Sequence, residues 1–221
     1  MNLSPGTIEV LTNFASINPQ LAFKKGNIVK SVCPLKTILA KATIEEDLPQ
    51  DFAINELGTF LKSYALFSDP ILKFSEKHVV IMNEASGAKL TYVFANEEHI
   101  SAAPSKEIKF PSEDVKFDLS SEALGAAIKA AGVLGLANIA VIGENKKVYF
   151  SAISAKDRSG SNFKYPVGVT KDSFCMIFKA DNLKVLPRDY KVIVSAKGLA
   201  HFATDNLEYW VAIETDSKFG E

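Results

Sequence analysis

The spacing of apolar positions alternates between helical and strand periods along the chain, and those switches mark its elements. Ser4 before Pro5 reads as a helix start, a hydroxyl cap with proline at the first helical position. Ile8, Leu11, Phe14 and Ala15 follow at helical spacing, with Val10 and Ile17 beside them, until Asn18-Pro19 stops the helix. Residues 21–23, 28–32, 37–43 and 51–54 read as strands, the first two joined by Lys24-Lys25-Gly26-Asn27 as a hairpin turn. Leu57, Phe60, Leu61 and Tyr64 then fall at i, i+3, i+4 and i+7, an amphipathic helix that Asp69-Pro70 ends. Strands at 71–75, 79–83 and 89–94 complete the first half.

The second half repeats this order after a leading strand at 115–119. Ser120 and Ser121 offer caps, and Leu124, Ala127, Ile128 and Ala131 make an apolar helical stripe ended by Gly132 and Gly135. Strands follow at 139–142, 148–153, 162–167 and 174–178, then a short helical turn at 181–186 stopped by Pro187. Strands at 190–196, 200–203 and 208–213 close the chain. Helix, four strands, helix, three strands therefore occurs twice, although residue identity between the copies is slight. This predicts an α+β fold of antiparallel sheets with both helices of each copy on one face. The polar stretch 96–114, with Pro104 and Pro111, reads as an extended connector between domains 1–95 and 115–221.

Composition then narrows the function. The 221 residues are 47% hydrophobic and 23% charged, with 25 basic and 26 acidic residues and a net charge of −1. A protein that grips nucleic acid by its phosphates usually carries a clear basic excess. This one either ignores nucleic acid or holds it by something other than bulk charge. No apolar run approaches a membrane span, and the N-terminus lacks a basic flank and an apolar core, so a cytoplasmic protein is expected. Cys33 and Cys175 lie in opposite halves and read as free thiols. His78, His99 and His201 are isolated, so no metal site is expected, and no phosphate-binding glycine loop or nucleophile elbow occurs. Glu45-Glu46-Asp47 and Glu97-Glu98 read as solvated turns. No catalytic constellation and no cofactor are indicated, which favours a binding or scaffolding role.

Two strands look like sheet edges. Strand 162–167 contains Pro166, and proline within a strand is nearly confined to edges. In strand 89–94, Leu90, Tyr92 and Phe94 alternate on one face. Each edge is either capped by its own loops or paired head to tail with a second copy, a contact that can close a ring. The candidate seam residues are Leu90, Tyr92 and Phe94 on one side and Phe163 and Tyr165 on the other.

Asn13-Phe14-Ala15-Ser16-Ile17-Asn18 resembles the opening signature of the DNA polymerase sliding clamps of T-even-type bacteriophages. Asp189-Tyr190-Lys191, Ala196-Lys197-Gly198 and the run from Glu208 through Trp210 and Ile213 to Ser217 resemble that family's C-terminal strands. With the length, the connector and the element order, the resemblance spans the chain. It implies two repeated clamp domains in a homotrimeric ring around duplex DNA, sheets outside and two helices per domain facing the hole. Helices are about 10 Å wide, so two chains would leave about 15 Å of clear space and three about 28 Å. Duplex DNA is roughly 20 Å wide, so three chains suffice and two do not.

Encirclement also answers the charge problem, because linkage needs little phosphate affinity. Lys62, Lys129 and Lys184 are the candidate DNA-facing residues; each reads equally as an ordinary solvated position. Where the family carries inward lysines on its first helix, this chain has Pro5 and Thr12, so a less positive channel is expected. The resemblance further implies a groove for hydrophobic tails of polymerase and other partners, here Leu35, Ile108, Phe110, Leu199, Trp210 and Ile213. It implies no enzyme activity, opening by an ATP-dependent clamp loader, and a role with late-transcription factors. The competing readings are a phage structural ring that never meets DNA and a hydrolase with dispersed residues.

Overall fold

Ser4 starts the first element as its hydroxyl accepts the Thr7 N–H at 3.1 Å, and α1 (Pro5–Ile17) follows with proline at its first position. The computed structural model describes residues 1–104, 106–157 and 159–220. The chain divides into two compact units, Met1–Ser105 and Lys106–Glu221.

In unit 1, α1 is followed by β1 (Leu21–Phe23), β2 (Gly26–Val32), β3 (Ile38–Leu48) and β4 (Phe52–Ile54). Then come α2 (Leu57–Tyr64), β5 (Ile71–Phe74), β6 (His78–Met82) and β7 (Lys89–Val93). β2 and β3 form an antiparallel hairpin, and β5, β6 and β7 form an antiparallel meander. The hairpin expected between residues 21–23 and 28–32 is not made. β1 pairs instead with β4, Leu21 opposite Ile54 and Phe23 opposite Phe52. The cause is a non-local anchor. Asp51 holds both the Lys24 ammonium at 2.9 Å and the Lys25 N–H at 2.7 Å, and Glu97 takes Lys24 at 3.0 Å. Gly26, at φ +109°, then turns the chain a corner that a side chain would resist.

The buried stripe of α1 is Thr7, Leu11, Phe14 and Ile17, while Ile8 and Ala15 are only half-buried. Thr7 goes inside because Glu46 receives its hydroxyl at 2.5 Å and also the Ser4 N–H. A carboxylate there complements the positive end of the helix. Burying Leu11, Phe14 and Ile17 contributes roughly 1.5–3 kcal/mol each. On α2, Leu57, Phe60 and Tyr64 are buried as their spacing predicts.

Unit 2 contains β8 (Val115–Leu119), α3 (Ser121–Leu134), β9 (Asn138–Glu144), β10 (Lys147–Ile153), β11 (Phe163–Val169) and β12 (Phe174–Lys179). β13 (Tyr190–Ser195), β14 (Leu199–Ala203), β15 (Leu207–Ala212) and β16 (Lys218–Phe219) follow. One antiparallel sheet runs β11-β10-β9-β12-β16, and β8, β13, β14 and β15 pair in that order. α3 packs Ala123, Leu124, Ala127 and Ala131 inward and continues through Gly132 to a left-handed cap at Gly135, φ +63°.

The helical turn expected at 181–186 is a single 3₁₀ turn, Ala180–Asn182. Leu183, Val185 and Leu186 are all buried, a spacing that suits no helix face. Leu186 is instead fixed by the core: its N–H donates to Tyr209 Oη at 3.3 Å, and its carbonyl accepts Tyr190 Oη at 2.7 Å. β16 was not expected; Phe219 stacks on Phe174 there, 5.8 Å between centroids.

The two units repeat one plan. The pairs β1/β4, β2/β3 and the meander β5-β6-β7 have counterparts in β9/β12, β10/β11 and β13-β14-β15. Neither Cys33 nor Cys175 is in a disulfide. Among the described residues, no helix is long and apolar enough to cross a membrane.

Candidate functional site

Strand alternation gives the β13-β14-β15 sheet two different faces. Val192, Val194, Ala200, Phe202, Tyr209 and Val211 turn into the core of unit 2 and are buried. On the other face Ile193, His201 and Trp210 stand opposite one another in register, each half-buried. The His201 ring stacks on Trp210, 4.7 Å between centroids at 15°, and the Phe110 ring lies tilted to it at 6.2 Å. Glu208 Oε2 sits 3.0 Å from His201 Nε2.

A polar clasp brings Phe110 to this face. The Asp114 N–H donates to the Val194 carbonyl at 3.1 Å, and the Ala196 N–H donates to Asp114 Oδ2 at 2.8 Å. Ser112 Oγ donates to Asp114 Oδ2 at 2.7 Å and lies 2.6 Å from Ser195 Oγ. The Ser112 hydroxyl and the Ala196 N–H hold the Asp114 carboxyl below the usual carboxylate range.

Of the six expected groove residues, the structure joins Phe110 to Trp210 through His201. Ile108 and Leu199 are half-buried in the same unit. Ile213 is only 9% exposed, and its N–H is tied to the Gly198 carbonyl at 3.1 Å, so it supports the face from within. Leu35 belongs to unit 1, where it is 84% exposed in the β2–β3 turn beside Lys36 at φ +56°. His201 and Glu208 were not expected. The signal was present: two-residue alternation puts 199 and 201, and 208 and 210, on one face.

Each unit also ends a sheet with an edge strand, β7 in unit 1 and β11 in unit 2. The Phe94 N–H donates to Lys77 and the Asn83 N–H to Ala88, so the even-numbered residues of β7 bond to β6. Lys89, Thr91 and Val93 therefore turn their peptide groups to the open edge. The candidate seam side chains point the other way. Tyr92 packs edge-on to Phe60 at 5.3 Å and donates its hydroxyl to the Glu56 carbonyl at 3.2 Å; Phe94 stacks on Phe52 at 4.9 Å. Leu90 is half-buried on the same side. On β11, Phe163 and Tyr165 are half-buried and Pro166 is exposed.

Lys62 on α2, Lys129 on α3 and Lys184 after the 3₁₀ turn are all exposed. The exposed positions of α1 are Pro5, Gly6, Thr12 and Ser16, and none is cationic. Among the described residues, no group of His, Cys, Asp and Glu is placed to hold a metal.

Comparison with known proteins gives this geometry a family. Residues 116–215 match the family described as gp45 sliding clamp, C terminal. The chain is 36% identical over 221 residues to the sliding clamp of Vibrio phage KVP40, covering 97% of this chain and 99% of that one. Its fold is similar to that of proliferating cellular nuclear antigen from Entamoeba histolytica: TM-score 0.69 at 16% identity, covering 94% of each chain. It is also similar to the Helicobacter pylori beta clamp in its structure bound to a DNA ligase peptide: TM-score 0.62 at 13% identity, covering 97% of this chain and 67% of that one. The chain belongs to the sliding clamp family.

Proposed function

We propose that this chain is a DNA polymerase processivity factor that closes, as three copies, into a ring around duplex DNA. One observation carries the reading. β7 of unit 1 and β11 of unit 2 are each the edge strand of a sheet, and head-to-tail pairing of one on the other covers both. The inward packing of Tyr92 and Phe94 leaves that seam to backbone hydrogen bonds, with Leu90, Phe163 and Tyr165 bracing the strands from behind. Domains 1–95 and 115–221 are the repeated halves, and 96–114 is the strap between them.

Lys62, Lys129 and Lys184 make weak, sliding contacts with phosphates, and α1 adds no charge to them. A short hydrophobic tail of polymerase docks on Phe110 and Trp210, with Ile108 and Leu199 beside them and Ile213 beneath. The peptide held by the Helicobacter pylori clamp supports that mode of binding. The protein is not an enzyme and needs no cofactor. An ATP-dependent loader opens the ring, late-transcription factors share it, and it works in the host cytoplasm.

Light scattering should give about 72 kDa, three times the 24.1 kDa chain. Primer extension with the polymerase and loader of the same genome should then give longer products when the protein is added. A monomeric mass, or unchanged product length, overturns the proposal.

A further inference from the structure

We propose that His201 selects which tails dock on the open face of the β13-β14-β15 sheet, by offering one unprotonated ring nitrogen to an N–H donor of the tail. The inference rests on the reading that this face is the partner site.

A carboxylate can only accept, so the 3.0 Å contact with Glu208 places a proton on His201 Nε2. In the neutral ring, Nδ1 is then a bare acceptor. Among the described residues, nothing donates to it. Turning the ring over in search of a donor would break the Glu208 bond, and tilting it would break the 4.7 Å stack on Trp210. Its side chain is 19% exposed, open enough to be reached and covered enough that an unmet acceptor is costly. The ring that carries this acceptor has apolar neighbours, with Ile193 opposite on β13, Trp210 on β15 and Phe110 on the connector.

That arrangement fits one kind of occupant: an extended tail that lays an apolar side chain on Trp210 and Phe110 and points a nearby backbone N–H at the imidazole. In the free protein water meets Nδ1. A tail without the donor removes that water and returns nothing, so it binds more weakly than its apolar contact alone predicts.

The test uses the full-length protein and a synthetic peptide carrying the C-terminal tail of the polymerase from the same genome, with each backbone N–H methylated in turn. On the wild-type protein one methylation should weaken binding by about 3- to 10-fold, the net effect of one hydrogen bond. On His201→Phe, which keeps a ring in the stack but has no acceptor, the same methylation should cost nothing. If every methylation costs the same on both proteins, the inference fails and the partner site stands. If the parent peptide does not bind, or binds Trp210→Ala as well as wild type, the site itself fails and the inference with it. Nitrogen NMR of the histidine rings gives a second check that needs no variant. Nδ1 of His201 should be unprotonated in the free protein and shift on adding the parent peptide. A protonated Nδ1 overturns the inference.

Discussion

Replacing Thr91 by proline tests the ring at its seams. The Thr91 N–H faces away from β6, so the hairpin within unit 1 keeps its bonds, and the Thr91 side chain is exposed, so the core is untouched. Lys89, Thr91 and Val93 together offer roughly six peptide groups to a neighbouring chain. Proline removes one N–H, worth about 1 kcal/mol net, and its ring crowds the approaching strand, so each seam loses roughly 1–3 kcal/mol. A closed trimer has three seams and loses about 3–9 kcal/mol, a rise of roughly 10²- to 10⁶-fold in the dissociation constant. Sedimentation or light scattering over a dilution series should show Thr91→Pro falling to the 24.1 kDa monomer where the wild type is still assembled. Thr91→Val, which keeps the N–H, should behave as wild type, and circular dichroism should show both variants folded. If Thr91→Pro assembles at the same concentrations as wild type, β7 is not at a seam and the pairing argued above is wrong.

Three further outcomes follow from the same structure. Ser4→Ala removes the cap of α1 and should lower unfolding free energy by about 1 kcal/mol, read from a shift in denaturant midpoint without a change in slope. The Asp114 carboxyl is held below its ordinary value, so its stabilisation is complete above the unfolded value of about 3.9 and is lost as pH falls through the lower folded one. Asp114→Asn should therefore be less stable than wild type at pH 6, with the gap in melting temperature closing below about pH 4; a gap independent of pH would show that the clasp does not need the charge. Lys62→Gln with Lys129→Gln should flatten the salt dependence of loading but leave retention on closed circular DNA unchanged; rapid loss from closed circles would refute holding by linkage.

What the sequence disclosed depended on how local the cause was. The Ser4-Pro5 cap, the α2 stripe and the meander of unit 1 are each set by neighbours a few residues apart, and they read correctly. The burial of Thr7 could not be read, because its partner, Glu46, lies far along the chain. The corner at Lys24-Lys25 looked like a hairpin because Asp51 and Glu97, which bend it, are equally remote. Leu183, Val185 and Leu186 were apolar enough for a helix, but the hydroxyls of Tyr190 and Tyr209 had already claimed Leu186. At the candidate site, Trp210 and Phe110 were named through the family resemblance. His201 was not, because a lone histidine carries no pattern until the strands align it with Glu208 and Trp210.

If β7 and β11 meet as proposed, then with Tyr92 and Phe94 turned inward the junction between subunits is written in peptide groups, which are the same in every protein. Such a junction does not read residue identity. Its outward positions are free to diverge between related viruses so long as the strand stays flat and its edge open, and copies from two genomes in one cell could join in a mixed circle. Exclusion of foreign subunits must then come from shape along the strands, where Pro166 within β11 already leaves one N–H missing.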